Sequence, residues 1–192
     1  MSTPSVSITI DKNDIARIKS DFLLMEGEVP VALSRAINRT LTAVNTAGSV
    51  QVRKHYNLKA SRVKKNFSVK KATKSYLNAS WKSQGEPIGL INFGARQNKK
   101  GVSVKVTASG SRETVNTAFI QVGKNKVQHV FWREKVGGVR VGRYDIERLT
   151  GPRIEDALAK DSVQKALQQT ADETLKKRLD AEANYILSKA KG

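Results

Sequence analysis

The chain contains no cysteine. Disulfides, thiolate metal sites and cysteine nucleophiles are therefore excluded together. Small secreted domains usually depend on such cross-links, so synthesis inside a cell is expected. No apolar run approaches the ~20 residues of a bilayer span. Met1 to Asp11 is polar, with no basic stretch leading into an apolar one, so no signal peptide is expected. Aromatic residues make up only 6% of the sequence. A core so lean, under so charged a surface, suits a protein that completes its burial against neighbouring subunits.

Acidic residues are missing from one region above all. Residues 52–112 hold 15 Lys and Arg against a single acid, Glu86, whereas residues 1–51 balance at 5 and 5. The middle thus carries +14 of the net +18, and residues 113–150 and 151–192 add only +3 and +1. Charge so concentrated implies an anionic partner, either nucleic acid or an acidic protein surface. The candidate contact residues are Arg53, Lys54, Lys59, Arg62, Lys64, Lys65, Lys70 and Lys71, then Arg96, Lys99 and Lys100 on a later loop tip. Tyr76 and Trp81 follow the first group and could stack bases. No zinc finger, RNP motif or KH clamp is present, so contact with DNA would be to phosphates, without reading sequence. Of equal weight is a solvent-facing basic coat, or one that meets an acidic neighbouring subunit.

Catalytic constellations are also missing. The two histidines, His55 and His129, have no partner at metal-ligand spacing. His55 reads as a solvated or capping residue and His129 as a packing residue beside Phe131 and Trp132. Asp145 and Glu147 stand two apart, but salt bridges to Arg143 or Arg148 account for them more simply than a metal does. Phosphate-loop and nucleophile-elbow patterns do not occur, and Gly137, Gly138 and Gly142 read as a loop or irregular ribbon. No catalytic residue, metal ion or cofactor is expected, and the chain is read as not an enzyme.

What is present is clear periodicity. Val6 to Ile10 alternates as a strand. Asp11 or Asn13 caps a helix carrying Ile15, Ile18, Phe22 and Met25. Pro30 opens a second, long helix with Leu33, Ile37, Leu41, Val44 and Gly48 on one face, ending near His55. A short helix over 59–67 follows. Strands are expected at Tyr76–Trp81, Ile88–Phe93 and Val102–Val106, with a hairpin of Phe119–Val122 and Val127–Trp132 around Gly123–Lys126. Beyond Gly151-Pro152 a long helix runs to the end, broken near Asp161-Ser162. The fold class is α+β: an antiparallel β-sheet packed by a long helix from the N-terminal half, with a long C-terminal helix. The expected regions are a strand and short helix over 1–28, an α+β core with the basic segment over 29–150, and a helix over 151–192.

Five segments, in this order and spacing, carry a resemblance. They are Ala36-Ile37-Asn38-Arg39-Thr40; the basic run Arg53 to Lys71; Ile88 to Gln97 with Lys99-Lys100-Gly101-Val102; Ala118-Phe119-Ile120 with His129 to Arg133; and Ile146 to Leu149 before Gly151-Pro152. Over roughly 30–155 the chain resembles the minor tail protein Z family of tailed bacteriophages. The resemblance implies a virion structural protein at the head-proximal tail end or neck, assembled in the host cytoplasm. Its roles would be tail completion, head–tail joining and part of the DNA conduit. The implied partners are further copies in a six- or twelve-fold ring, other tail or neck proteins, and genomic DNA held nonspecifically; no membrane is implied. The alternative is a nonspecific nucleic-acid-binding protein acting alone.

Overall fold

Val6 and Ile8 fall on one face of the first strand, β1 (Ser5–Thr9), and both are buried. A computed structural model of the chain describes residues 4–9, 27–124, 126–133, 135–136, 139–140 and 146–190. The helix expected to carry Ile15, Ile18, Phe22 and Met25 lies outside them. The long helix α1 spans Val29–His55, with Pro30 in its first turn, where a missing N–H costs nothing. Leu33, Ile37, Leu41 and Val44 recur at three and four residues and are all buried, as expected.

The chain forms two units. The first comprises Met1–Ser49, Phe67–Gln84 and Leu158–Gly192. Its sheet has the order β1-β3-β2, with β2 at Phe67–Lys70 and β3 at Asn78–Ser83, all antiparallel. Strand β3 begins two residues later than its apolar pattern suggests, because Thr73 and Tyr76 close a tight turn through paired backbone hydrogen bonds. Trp81 is the centre of this unit. It pairs with Val6 on one side and Val69 on the other, and its side chain is wholly buried. Its indole N–H faces the Asn45 side-chain oxygen at 3.3 Å, and Phe67 packs edge-on at 4.7 Å.

Gly48 makes this packing possible. A Cβ there would lie 2.8 Å from the Trp81 ring, closer than any real contact. Asn38, further back on α1, clamps the peptide of Ala72: its amide donates to the Ala72 carbonyl at 3.0 Å and accepts from the Ala72 N–H at 2.9 Å. The last helix, α4, spans Asp161–Ala190 and follows a break after α3 (Ile154–Leu158). At the break, Gln164 donates to the Leu158 carbonyl at 2.7 Å. Val163, Leu167, Ala171, Leu179 and Ile186 give α4 its buried stripe.

The second unit comprises Val50–Asn66 and Gly85–Ala157. It contains a short helix, α2 (Ala60–Lys64), and two three-stranded antiparallel sheets. The first joins β4 (Arg96–Gln97), β5 (Gly101–Val104) and β6 (Glu113–Asn116) in that order. The second has the order β11-β8-β7, from β7 (Phe119–Val122), β8 (Gln128–Arg133) and β11 (Ile146–Arg148). The expected hairpin is present, and Phe119 faces Phe131 across it with ring centres 6.0 Å apart. Two-residue strands β9 (Lys135–Val136) and β10 (Val139–Arg140) pair in the glycine-rich region; Gly137, Gly138 and Gly142 lie outside the described residues.

One strand expectation is corrected. Ile88–Phe93 starts extended, with Gly89 bridged to Thr150, but then closes into a 3-10 turn at Leu90–Asn92. The Asn92 side chain donates to the Gly89 carbonyl at 3.0 Å, a local bond that competes with strand pairing. Short apolar runs do not distinguish strand from helix by period alone. Strand β6 has only one half-buried residue, Val115, and left no alternation to read.

The α+β class thus stands, with long helices at Val29–His55 and Asp161–Ala190 and the strands shared among separate antiparallel sheets. Gly48→Ala tests the ring-on-helix contact. The added methyl gains about 1 kcal/mol of helix propensity but forces overpacking that costs about 1–3 kcal/mol. We expect a net loss of stability in chemical denaturation of the wild-type chain. In a Trp81→Phe background, where the second ring is absent, the same substitution is expected to be neutral or stabilising.

Candidate nucleic-acid or acidic-partner interface

The basic segment begins where α1 ends. Arg53, Lys54 and His55 occupy its last turn, and cations there complement the negative end of the helix dipole. The chain then extends through Tyr56, which bridges Thr107, and Leu58, which is buried. Burial, and then the Asp156 carboxylate, push the Tyr56 phenol above its ordinary pKa.

Helix α2 presents the densest group. Val63 is its one buried residue, so a single apolar side chain anchors it while Lys59, Lys64 and Lys65 stay exposed. Lys59 is the N-cap, with extended backbone angles and no capping hydrogen bond from its side chain. Ser, Thr, Asp or Asn would stabilise that position, and a cation there opposes the helix dipole. Arg62 is half-buried and donates to the Asn66 side-chain oxygen at 2.5 Å. Burial, and then the nearby Arg148, hold its guanidinium below its ordinary pKa. Arg148 itself lies against Gly89, where a Cβ would meet its guanidinium at 3.2 Å.

Arg96, Lys99 and Lys100 are exposed on and beyond β4. The tip is held rigidly: Asn98 accepts from the Lys100 and Gly101 N–H groups at 3.0 and 2.7 Å. Gln97 donates to the Gly101 carbonyl at 2.9 Å and accepts from the Ile120 N–H at 2.8 Å. Gly94, just before, has φ +65°, a left-handed conformation that glycine adopts without steric cost. Arg112 donates to its carbonyl at 2.7 Å and so serves the fold.

The structure divides the sequence-derived set. Arg53, Lys54, Lys59, Arg62, Lys64, Lys65, Arg96, Lys99 and Lys100 belong to the second unit, and Lys70 and Lys71 to the first. In the first unit Lys70 lies over the exposed Tyr76 ring at 5.3 Å. Trp81 is removed from the candidate base-stacking residues, because it is the fully buried centre of its unit. Arg148 is the addition. Its sequence neighbourhood pointed to an acid partner, and only the fold brings it near Arg62. Asp145 and Arg143 lie outside the described residues.

Among the described residues no group of three or more His, Cys, Asp and Glu side chains could hold a metal ion. His129 packs edge-on to Phe131 at 5.9 Å. Among the described residues no helix is long and apolar enough to cross a membrane.

Compared with models of protein families, residues 18–190 match prophage minor tail protein Z (GPZ). The chain belongs to the minor tail protein Z family. No curated protein and no solved structure matches it. As a member of the minor tail protein Z family the chain is a phage minor tail protein with a structural role. The match extends the resemblance seen in the sequence on both sides, taking in the C-terminal helix.

Lys59→Ser supplies the missing cap of α2. The expected gain is about 0.5–2 kcal/mol of stability, read as a raised denaturation midpoint with an unchanged slope. No gain would mean that Lys59 is not the N-cap in solution.

Proposed function

We propose that this minor tail protein acts at the head-proximal end of the tail or neck. There it completes the tail and joins it to the head, as a six- or twelve-fold ring that forms part of the DNA conduit. The observation that carries this reading is the charge of the second unit, which holds 19 Lys and Arg against 7 Asp and Glu, a net +12. Lys54, Lys59, Lys64, Lys65, Lys99 and Lys100 are exposed, and the only acid in residues 52–112 is Glu86. Copies of such a unit repel one another, so a closed ring needs a counter-charge: DNA phosphates in the lumen or acidic faces on adjoining proteins. The same unit leaves Val122, Val127 and Ile146 exposed on or beside its β11-β8-β7 sheet, as apolar surface for a neighbour to cover.

A second reading is a nonspecific nucleic-acid-binding protein that works alone. It is favoured by the exposed lysines around α2 and by Tyr76, which stays available to stack. Light scattering of the purified chain at low and high salt, with and without short duplex DNA, separates the two. A six- or twelve-fold particle that persists in high salt is expected for the ring. A monomer that gathers only on duplex, and whose affinity falls with a log–log salt slope of about −5 for about six neutralised phosphates, would establish the second reading and sink the first.

A further inference from the structure

The first unit holds a charged cleft that the basic segment does not include. Arg35 and Arg39 stand one turn apart on α1 and so share a face. Opposite them, on α4, is Glu182, whose side chain is only 7% exposed. Its carboxylate lies 3.8 Å from the Arg35 guanidinium and 3.3 Å from that of Arg39. These are looser contacts than the 2.7–2.9 Å of a close charge-assisted hydrogen bond. Both arginine side chains remain 53% exposed. They line a cleft of about 360 Å³ together with Ala181, Glu182 and Tyr185. A hollow of about 110 Å³ shares Arg35 and Tyr185 with it. Each guanidinium carries five N–H donors, and among the described residues their only charged partner is Glu182.

We propose that this cleft docks an acidic side chain of a partner protein, with Arg35 and Arg39 as the recognising groups. The charge balance selects the ligand. Two guanidinia and one carboxylate leave +1, which a single Asp or Glu side chain neutralises. A phosphate dianion would instead leave an excess negative charge beside a buried carboxylate. Arginine and tyrosine, like tryptophan, are enriched at the energetic centre of protein interfaces, and Tyr185 is half-exposed at the cleft wall. A second copy's first unit, at net +6 (18 − 12), is the poorer occupant, because like-charged surfaces oppose each other's approach. The proposal concerns the first unit and does not depend on the charge of the second.

The test uses the full chain, ¹⁵N-labelled, in physiological salt. The probes are the acetylated peptide amide Leu-Glu-Leu-Gly, which carries a single carboxylate, its Leu-Gln-Leu-Gly counterpart, and inorganic phosphate at matched ionic strength. We expect the Nε–H resonances of Arg35 and Arg39 to move saturably with the Glu peptide alone. Removing only the arginines would strand a buried carboxylate, so the loss variant is R35Q/R39Q/E182Q. Followed through the Tyr185 ring, its affinity for the Glu peptide should fall about tenfold or more, the loss expected for a charge-assisted contact. E182Q should bind the Glu peptide more tightly and should also take phosphate. The proposal is overturned if phosphate moves the wild-type arginines as the Glu peptide does. It also fails if the Glu peptide moves only lysine resonances, or if the arginine signals change with protein concentration alone, which would make a second copy the occupant.

Discussion

The indole of Trp81 lies against the backbone of a long helix, and much of the first unit follows from that one contact. A ring can approach a helix this closely only where a side chain is absent, which fixes Gly48 at the cost of about 1 kcal/mol in helix propensity. The strand carrying Trp81 is the middle strand of its sheet, so its neighbours take their register from the same position: Val6 on one side, Val69 on the other. Asn45 satisfies the indole N–H, which removes the penalty of burying it. In a protein with two tryptophans and few aromatics overall, this ring is the largest of the fully buried side chains among the described residues.

The second unit follows a different logic. Its core rests on Phe93 and on medium-sized residues such as Val52, Val63, Ile88, Val102 and Val130. Several of its charges stand where stability would not place them. Lys59 opposes the dipole of a helix that it could have capped, and Arg62 is half-buried near another arginine. The missing cap costs about 0.5–2 kcal/mol, and burial beside a like charge disfavours the charged form of Arg62. Positions that sacrifice stability for positive charge are those where an anionic partner would restore the balance.

The sequence made the long elements legible because their periods are long. The stripe from Leu33 to Val44 can be read without tertiary information, and so can the break between the two C-terminal helices. The hairpin of β7 and β8 announced itself through its glycine turn and aromatic strands. What stayed hidden depended on local side-chain bonds and on contacts between distant residues. Ile88 to Phe93 has strand-like content, but a local bond from the Asn92 side chain joins the backbone bonds that close it into a helical turn. Trp81 follows a basic stretch in the sequence, which suggested a base-stacking surface, but the fold buries it. The approach of Arg148 to Arg62, and the pairing of Arg39 with a glutamate far along the chain, have no local signature at all. The short motif Ala36-Ile37-Asn38-Arg39 can now be read residue by residue: Ala36 and Ile37 are core, Asn38 clamps the Ala72 peptide, and Arg39 meets Glu182.

The Asn38 clamp has a consequence beyond local stability. Strand β2 lies at the edge of its sheet, and an edge offers unpaired backbone groups to any passing strand. Proteins usually blunt such an edge with proline, a bulge or a charge. Here a helix side chain takes both hydrogen-bonding groups of Ala72, two residues past the end of β2, as a neighbouring strand would. The edge therefore cannot be lengthened at that point by a foreign strand. Aspartate or leucine at position 38 would reopen it, since neither offers both the donor and the acceptor that close it.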